Sequence, residues 1–207
     1  MHLEVLTDNA KSILPYLKIP GDFYLAGGTA IALQLGHRIS VDYDFFSDKK
    51  IPKSLLSSVK QKLPKTFKIN VTVNNSDELT LFINNTKLTF LHYPFPLIET
   101  TIKLDSLRIM TLSELAATKA YTIGRRGEGK DYIDIYYLLR DDHVVLHDIL
   151  KIARKKYSSD FNDRLFLEQL LYLDDIRLSN ITLLLDKKVS RKEIETLFKA
   201  KISELGL

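Results

Sequence analysis

The segment Phe23–Ser47, FYLAGGTAIALQLGHRISVDYDFFS, decides the fold. It reads as strand, tight turn, helix, turn and strand. The first apolar run ends at Ala26. Gly27 and Gly28 follow, and glycine lets the backbone turn sharply and approach a ligand with no Cβ in the way. Thr29 stands at the start of the helical run TAIALQLGH, where free N–H groups and the helix dipole favour an anion. Gly36 is expected to close that helix as its C-cap. Gly27, Gly28 and Thr29 have the parts of a phosphate cradle, with the Thr29 hydroxyl as a further donor. A plain glycine turn with a threonine cap carries the same signature, because short glycine motifs recur widely.

Asp42 and Asp44 lie at i and i+2 on the second strand, so their side chains share a face. Carboxylates this close repel unless a cation or donors neutralise them. Oxygen ligands at this spacing suit a hard divalent metal such as Mg²⁺. One of Phe45 and Phe46 is expected to anchor the strand in the core. A phosphate cradle beside a metal-binding carboxylate pair is the heart of phosphoryl and nucleotidyl transfer. The fitting reaction is attack by a hydroxyl on the α-phosphorus of a nucleoside triphosphate (NTP), with pyrophosphate leaving. His37 and Arg38, between helix and strand, either reach the nucleotide or pack in the cap region, Arg38 paired with a carboxylate.

Outward from this segment the chain divides in pattern. Between about 20 and 110 lie alternating runs, FKINVTV, LTLFI and KLTFLHY, separated by turn residues at Asn74–Asp77 and Asn84-Asn85. PKSLLSSVKQKL reads as a helix with Pro52 at its first position. From residue 111 the pattern is helical. Thr111 or Ser113 caps a helix through LAATKAYTIG that ends near Gly124. Further helices are expected over GKDYIDIYYLLRDD, HDILKIARKKY, FNDRLFLEQLLYL and SRKEIETLFKAKISEL. The expected fold is α+β: a small mixed β-sheet core flanked by helices (1–110), then a C-terminal helical bundle (111–207) that packs on the core and completes the cleft.

The 207 residues are 45% hydrophobic and 27% charged, an ordinary globular composition long enough for a sizeable core. There is no cysteine, which excludes a disulfide scaffold, a thiol nucleophile and a Cys-ligated zinc site. No stretch approaches the roughly 18 apolar residues of a membrane span, and no signal-peptide core is visible. The expectation is a cytoplasmic protein with no membrane partner. A net charge of +4 is compatible with a phosphate-bearing partner and equally with a lysine-rich surface. Arg154-Lys155-Lys156 reads as a solvated face or a weak RNA patch, and Asp174-Asp175 as a solvated helix end.

GGTAIALQLGHRISVDYDFF, with ATKAYTIGRRGEGKDYIDIYYLL further on, resembles the AbiEii/AbiGii-toxin-like nucleotidyltransferases of the DNA polymerase β-like superfamily. Matching residues span most of Phe23 to Leu139. The resemblance implies a nucleotidyltransferase from a bacterial toxin–antitoxin or phage-defence system. It would transfer a nucleotide from an NTP with Mg²⁺, plausibly onto RNA, under restraint by a cognate antitoxin. It places Asp42 and Asp44 at the metal. It places Gly27, Gly28, Thr29, Arg38, Lys119, Lys130, Asp131 and Asp134 at the nucleotide, with Lys119 also catalytic at the triphosphate. Lys130, Asp131 and Asp134 fit as well a salt-bridge network with Arg125 and Arg126. Superfamily members usually carry a third carboxylate on a later strand. The matching strand here, Lys87–His92, has none, which keeps open an inactive nucleotide- or partner-binding module. A small-molecule (antibiotic) nucleotidyltransferase shares the first motif.

Overall fold

The computed structural model describes residues 1–19 and 21–206. In chain order the regular elements are α1 (Asp8–Ile13), β1 (Tyr24–Ala26), α2 (Gly27–Leu35), β2 (Tyr43–Ser47), α3 (Leu55–Lys62), β3 (Ile69–Asn74), β4 (Glu78–Ile83) and β5 (Thr86–His92). They continue with β6 (Ile102–Leu104), β7 (Leu107–Ile109), α4 (Leu112–Arg126), α5 (Gly129–Arg140), α6 (Leu146–Tyr157), α7 (Asp163–Leu171) and α8 (Arg191–Ser203). The strands form one mixed sheet in the order β3-β4-β5-β2-β1-β7-β6. The α+β reading therefore holds, with the β6–β7 hairpin as an addition at the edge.

Strand β2 is the hinge of the arrangement. It runs antiparallel to β1 and parallel to β5. Its alternation works as the sequence implies: Tyr43 and Phe45 are buried, while Asp44 and Phe46 are half-exposed on the other face. Phe45 is the core anchor, stacked on Phe90 of β5 with ring centroids 5.2 Å apart. The Tyr43 hydroxyl donates to the Ala10 carbonyl at 3.0 Å and ties α1 to the sheet. Helix α2 packs on β1 and β2 and also touches α4 and α5, so it joins the sheet to the helical half.

Two helix ends differ from the sequence expectation. Thr111 does cap α4, accepting from the Glu114 N–H, but the helix runs past Gly124 to Arg126. Helix α3 starts at Leu55 behind Ser54, so Pro52 precedes the helix instead of opening it. Helix α5 is buried along nearly its whole length, from Asp131 to Leu139. An all-round buried helix sits at the centre of a packed unit, and here it carries Asp134 into a place with no exposure.

Lys156 also departs from its expected surface role. Its ammonium is buried, donating to the Glu114 carboxylate at 2.6 Å and to the Pro96 carbonyl at 2.7 Å. Glu114 in turn accepts from the N–H groups of Ile98 at 2.9 Å and Glu99 at 3.1 Å. One ion pair thus pins the loop after β5 to both α4 and α6. A buried charge left without its partner costs about 3–5 kcal/mol. Glu114→Ala should therefore lower the unfolding free energy by about that much in urea titration. A loss within the scatter of surface substitutions would show that the pair does not hold the loop.

Candidate active site

Glycine flexibility is needed at two adjacent positions. Gly27 opens α2 at φ +67°, in the left-handed region that side chains rarely adopt. A Cβ at Gly27 would lie 2.7 Å from Oδ2 of Asp44. A Cβ at Gly28 would collide with the Arg38 guanidinium. The glycines therefore let the start of α2 press against a carboxylate on one side and a guanidinium on the other. The first N–H groups of any helix lack intrahelical acceptors, so this end faces a cleft with donors available.

The cleft has a volume of about 380 Å³ and is lined by Gly27, Gly28, Asp42, Asp44, Lys119 and Asp131, among others. Asp42 comes just before β2 and Asp44 lies within it; both are half-buried and both open on the cleft. Burial pushes the Asp44 carboxyl above its usual 3.8, the charge of Asp42 adds to this, and Lys87 and Lys119 offset part of it. Such a site has surplus negative charge for a cation to neutralise. Among the described residues, no group of three or more carboxylate or imidazole side chains gathers as a complete metal cage. Two carboxylates plus substrate phosphates are nevertheless a normal Mg²⁺ donor set, so Asp42 and Asp44 fit that ion.

Thr29 also lines the cleft. Its hydroxyl is bonded to the Asp42 carbonyl and, at 2.7 Å, to the Ser40 hydroxyl. These bonds tie the loop that carries Asp42 to the start of α2.

Behind the cleft lies a buried charge cluster. Arg38 forms a two-pronged pair with Asp134, Nε to Oδ1 at 2.7 Å and Nη2 to Oδ2 at 3.0 Å. His37 Nε2 meets Asp134 Oδ1 at 2.8 Å. Lys119 Nζ reaches Asp131 Oδ1 at 2.6 Å and Asp134 Oδ2 at 2.8 Å. Burial would raise the Asp134 carboxyl, but Arg38 and Lys119 hold it well below 3.8. Burial lowers the His37 pKa, and the bond to Asp134 opposes part of that shift. Burial alone would also depress Lys119; Asp134 and Asp131 outweigh it and keep the ammonium charged. Asp131 does a second job by accepting from the Glu128 N–H at 3.0 Å, which caps α5.

Arg125, Arg126 and Lys130 do not form the expected network with Asp131 and Asp134. Arg126 and Lys130 are exposed and pair with Glu128. Arg125 lies over the Tyr121 ring at 3.6 Å. The like charges of Asp131 and Asp134 are compensated by Lys119 and Arg38 instead. Arg38 stands on the pairing side of its two alternatives, with an edge still on the cleft; Lys130 also lines the cleft. Asp105 sits in the β6–β7 turn at φ +50°, away from Asp44. Asp174 and Asp175 are exposed, as expected of a solvated end.

A further wall was not foreseen. The irregular segment after α7 crosses beside the cleft, where the Ile39 N–H donates to the Thr182 carbonyl and the Leu184 N–H to the His37 carbonyl, both at 2.9 Å. Asn180, Ile181 and Thr182 line the cleft. Residue patterning gives no sign of such a contact, because it is made by backbone.

The family described as "Nucleotidyl transferase AbiEii toxin, Type IV TA system" matches residues 18–205. An uncharacterized protein of Aquifex aeolicus is 32% identical over 191 residues, covering 91% of this chain and 90% of that protein. Among solved structures, a candidate nucleotidyltransferase from H. pylori superposes with a TM-score of 0.60 at 20% identity, over 96% of this chain and 95% of the other. MenT4, a nucleotidyltransferase toxin of Mycobacterium tuberculosis, gives 0.60 at 17% identity, over 89% of this chain and 75% of its own. At these identities the two structures establish a shared fold.

Proposed function

The chain belongs to the AbiEii nucleotidyl transferase toxin family, and from that membership we propose that it transfers a nucleotide from an NTP to a hydroxyl of RNA, as the toxin of a pair restrained by a cognate antitoxin. The observation that carries this reading is the meeting of the α2 N-terminus with Asp44 at the floor of one cleft, where Gly27 leaves no room for a Cβ.

Each group then has a role. Asp42 and Asp44 would hold Mg²⁺, which would supply charge neutralisation at the phosphate oxygens. The backbone N–H groups at Gly27 and Gly28 receive the phosphate tail, helped by the positive end of α2. An ammonium has three N–H donors. Lys119 donates to Asp131, pairs by charge with Asp134 and lines the cleft, where a remaining N–H would meet the tail. Asp134, through Arg38 and Lys119, fixes the cations in place. In the reaction the acceptor oxygen bonds to the α-phosphorus, the bond to pyrophosphate breaks, and the hydroxyl proton passes to solvent water. Arg126 and Lys130 at the cleft rim favour a polyanionic acceptor over a cationic antibiotic.

Toxicity distinguishes transfer from simple binding, because a catalyst acts at low abundance while a binder needs stoichiometric amounts. Expression of the wild-type chain alone in bacteria should slow growth, and Asp44→Ala at equal protein level should restore it. Equal toxicity of the two would argue for capture of a target without chemistry.

A further inference from the structure

We infer that the outer face of β4 and β5 beside Asp44, bearing Phe82, Lys87 and Thr89, seats the acceptor as a single nucleic-acid strand, with Lys87 on a backbone phosphate next to the attacking hydroxyl. This rests on the nucleotidyl-transfer reading of the cleft.

The argument starts from strand register. Asp44 pairs with Ala26 of β1 on one side and with Thr89 of β5 on the other. Just past Ala26 is the N-terminus of α2, where the phosphate tail belongs. An in-line displacement puts the attacking and leaving oxygens on opposite sides of the phosphorus. With pyrophosphate leaving over β1, the attacking hydroxyl arrives over β5.

The β5 side is built for a strand with phosphates. Lys87 lies two residues from Thr89, so the two share the Asp44 face. Phe82 of β4 stands directly across from Lys87, and Thr80 across from Thr89. The alternate residues Leu79, Leu81, Leu88 and Phe90 are fully buried in the core. Phe82 is half-buried and, among the described residues, takes no part in the core cluster. Lys87 makes no ion pair among the described residues. The Thr89 side chain is buried beside Asp44, its partner in the strand register. The face offers an ammonium and an aromatic ring two residues along the strands from the Asp44–Thr89 pair. That set suits a phosphodiester with an unpaired base stacked on Phe82. A cationic acceptor would be repelled by Lys87.

The test measures RNA and NTP binding separately on the intact protein. The RNA probe is a short fluorescein-labelled single strand of mixed sequence with free terminal hydroxyls, read by anisotropy across a salt series. NTP binding is read by calorimetry with Mg²⁺ and each NTP in turn. Lys87→Gln should reduce the slope of log affinity against log salt by about one and leave NTP binding unchanged. Phe82→Ala should weaken RNA binding about fivefold or more. Phe82→Leu, which keeps apolar bulk and removes the ring, should weaken it in the same direction with the fold intact. RNA bound by all three variants as by wild type would overturn the inference. So would a Lys87→Gln protein that loses NTP affinity, since Lys87 would then serve the triphosphate. A wild-type protein that binds NTP and no RNA overturns the inference alone. One that binds RNA through this face and no NTP overturns the transferase reading and keeps the face.

Discussion

With Asp42 and Asp44 both changed to Asn, Mg²⁺-dependent transfer falls by at least about a thousandfold while the melting temperature holds or rises. The loss corresponds to several kcal/mol of transition-state charge stabilisation, the usual worth of a bound metal in such chemistry. The stability half follows from the sign of the Asp44 shift. Its carboxyl is held above 3.8 by burial and by Asp42, so the folded protein disfavours its ionised form. A group with a raised carboxyl pKa takes stability away once it ionises. Removing that charge relieves the fold at neutral pH. The same shift sets a pH dependence: protons compete with Mg²⁺ at Asp44 more strongly than at an ordinary aspartate, so metal affinity declines as pH falls towards that raised value. Transfer assays and thermal melts on the double variant check both halves together. Normal transfer would remove the metal assignment, and a large drop in melting temperature would make the pair structural.

Asp134→Ala acts in the opposite sense. Asp134 has no exposure and answers Arg38, Lys119 and His37 at once. Removing it leaves two buried cations with only Asp131 between them, at a cost of about 3–5 kcal/mol. For a chain of this size that is roughly a 10 °C fall in melting temperature. The Asp134 carboxyl is held well below 3.8 in the fold. Its contribution is therefore complete above the ordinary carboxylate value and is lost as pH falls through that value towards the folded one. The wild type should lose stability across that acid window, and the Asp134→Ala protein should show a shallower decline. A melting temperature within a degree or two of wild type would mean that the cluster is solvated and not a buried keystone.

The first carboxylate pair was legible because its signals are local. Gly27-Gly28, the helix that follows and the alternation of Asp42, Tyr43, Asp44 and Phe45 all lie within one short stretch. Each local preference agrees with the fold around it. Thr111 was equally plain as a cap. The reasons behind these features were less visible. The glycines make room for Asp44 and Arg38, and the Thr29 hydroxyl braces the Asp42 loop. Both depend on contacts across the turn. Asp131 and Asp134 looked like partners of the nearby Arg125 and Arg126, yet their partners are Lys119 and, 96 residues away, Arg38. Lys156 appeared in a basic run and lies buried on Glu114. Strands β6 and β7, three residues each, are too short for periodicity to register. The wall at Asn180–Thr182 is held by backbone bonds that no residue pattern encodes.

The strand matched to the third carboxylate, Lys87–His92, lies in β5 and pairs with β2. Its register puts Thr89 opposite Asp44 and Lys87 next along the same face. The absence of an acid there therefore belongs to the site itself, and the chemistry must be tested without assuming one.

The most direct test follows two labels through one reaction. Wild-type protein is incubated with Mg²⁺, total RNA and each NTP labelled either on the α-phosphate or on the γ-phosphate. Nucleotidyl transfer predicts that the α-label enters the RNA fraction for at least one NTP, while the γ-label leaves as pyrophosphate and never enters it. Gamma-label appearing on RNA would make the chemistry phosphoryl transfer. No α-label on RNA from any NTP would contradict the central claim outright.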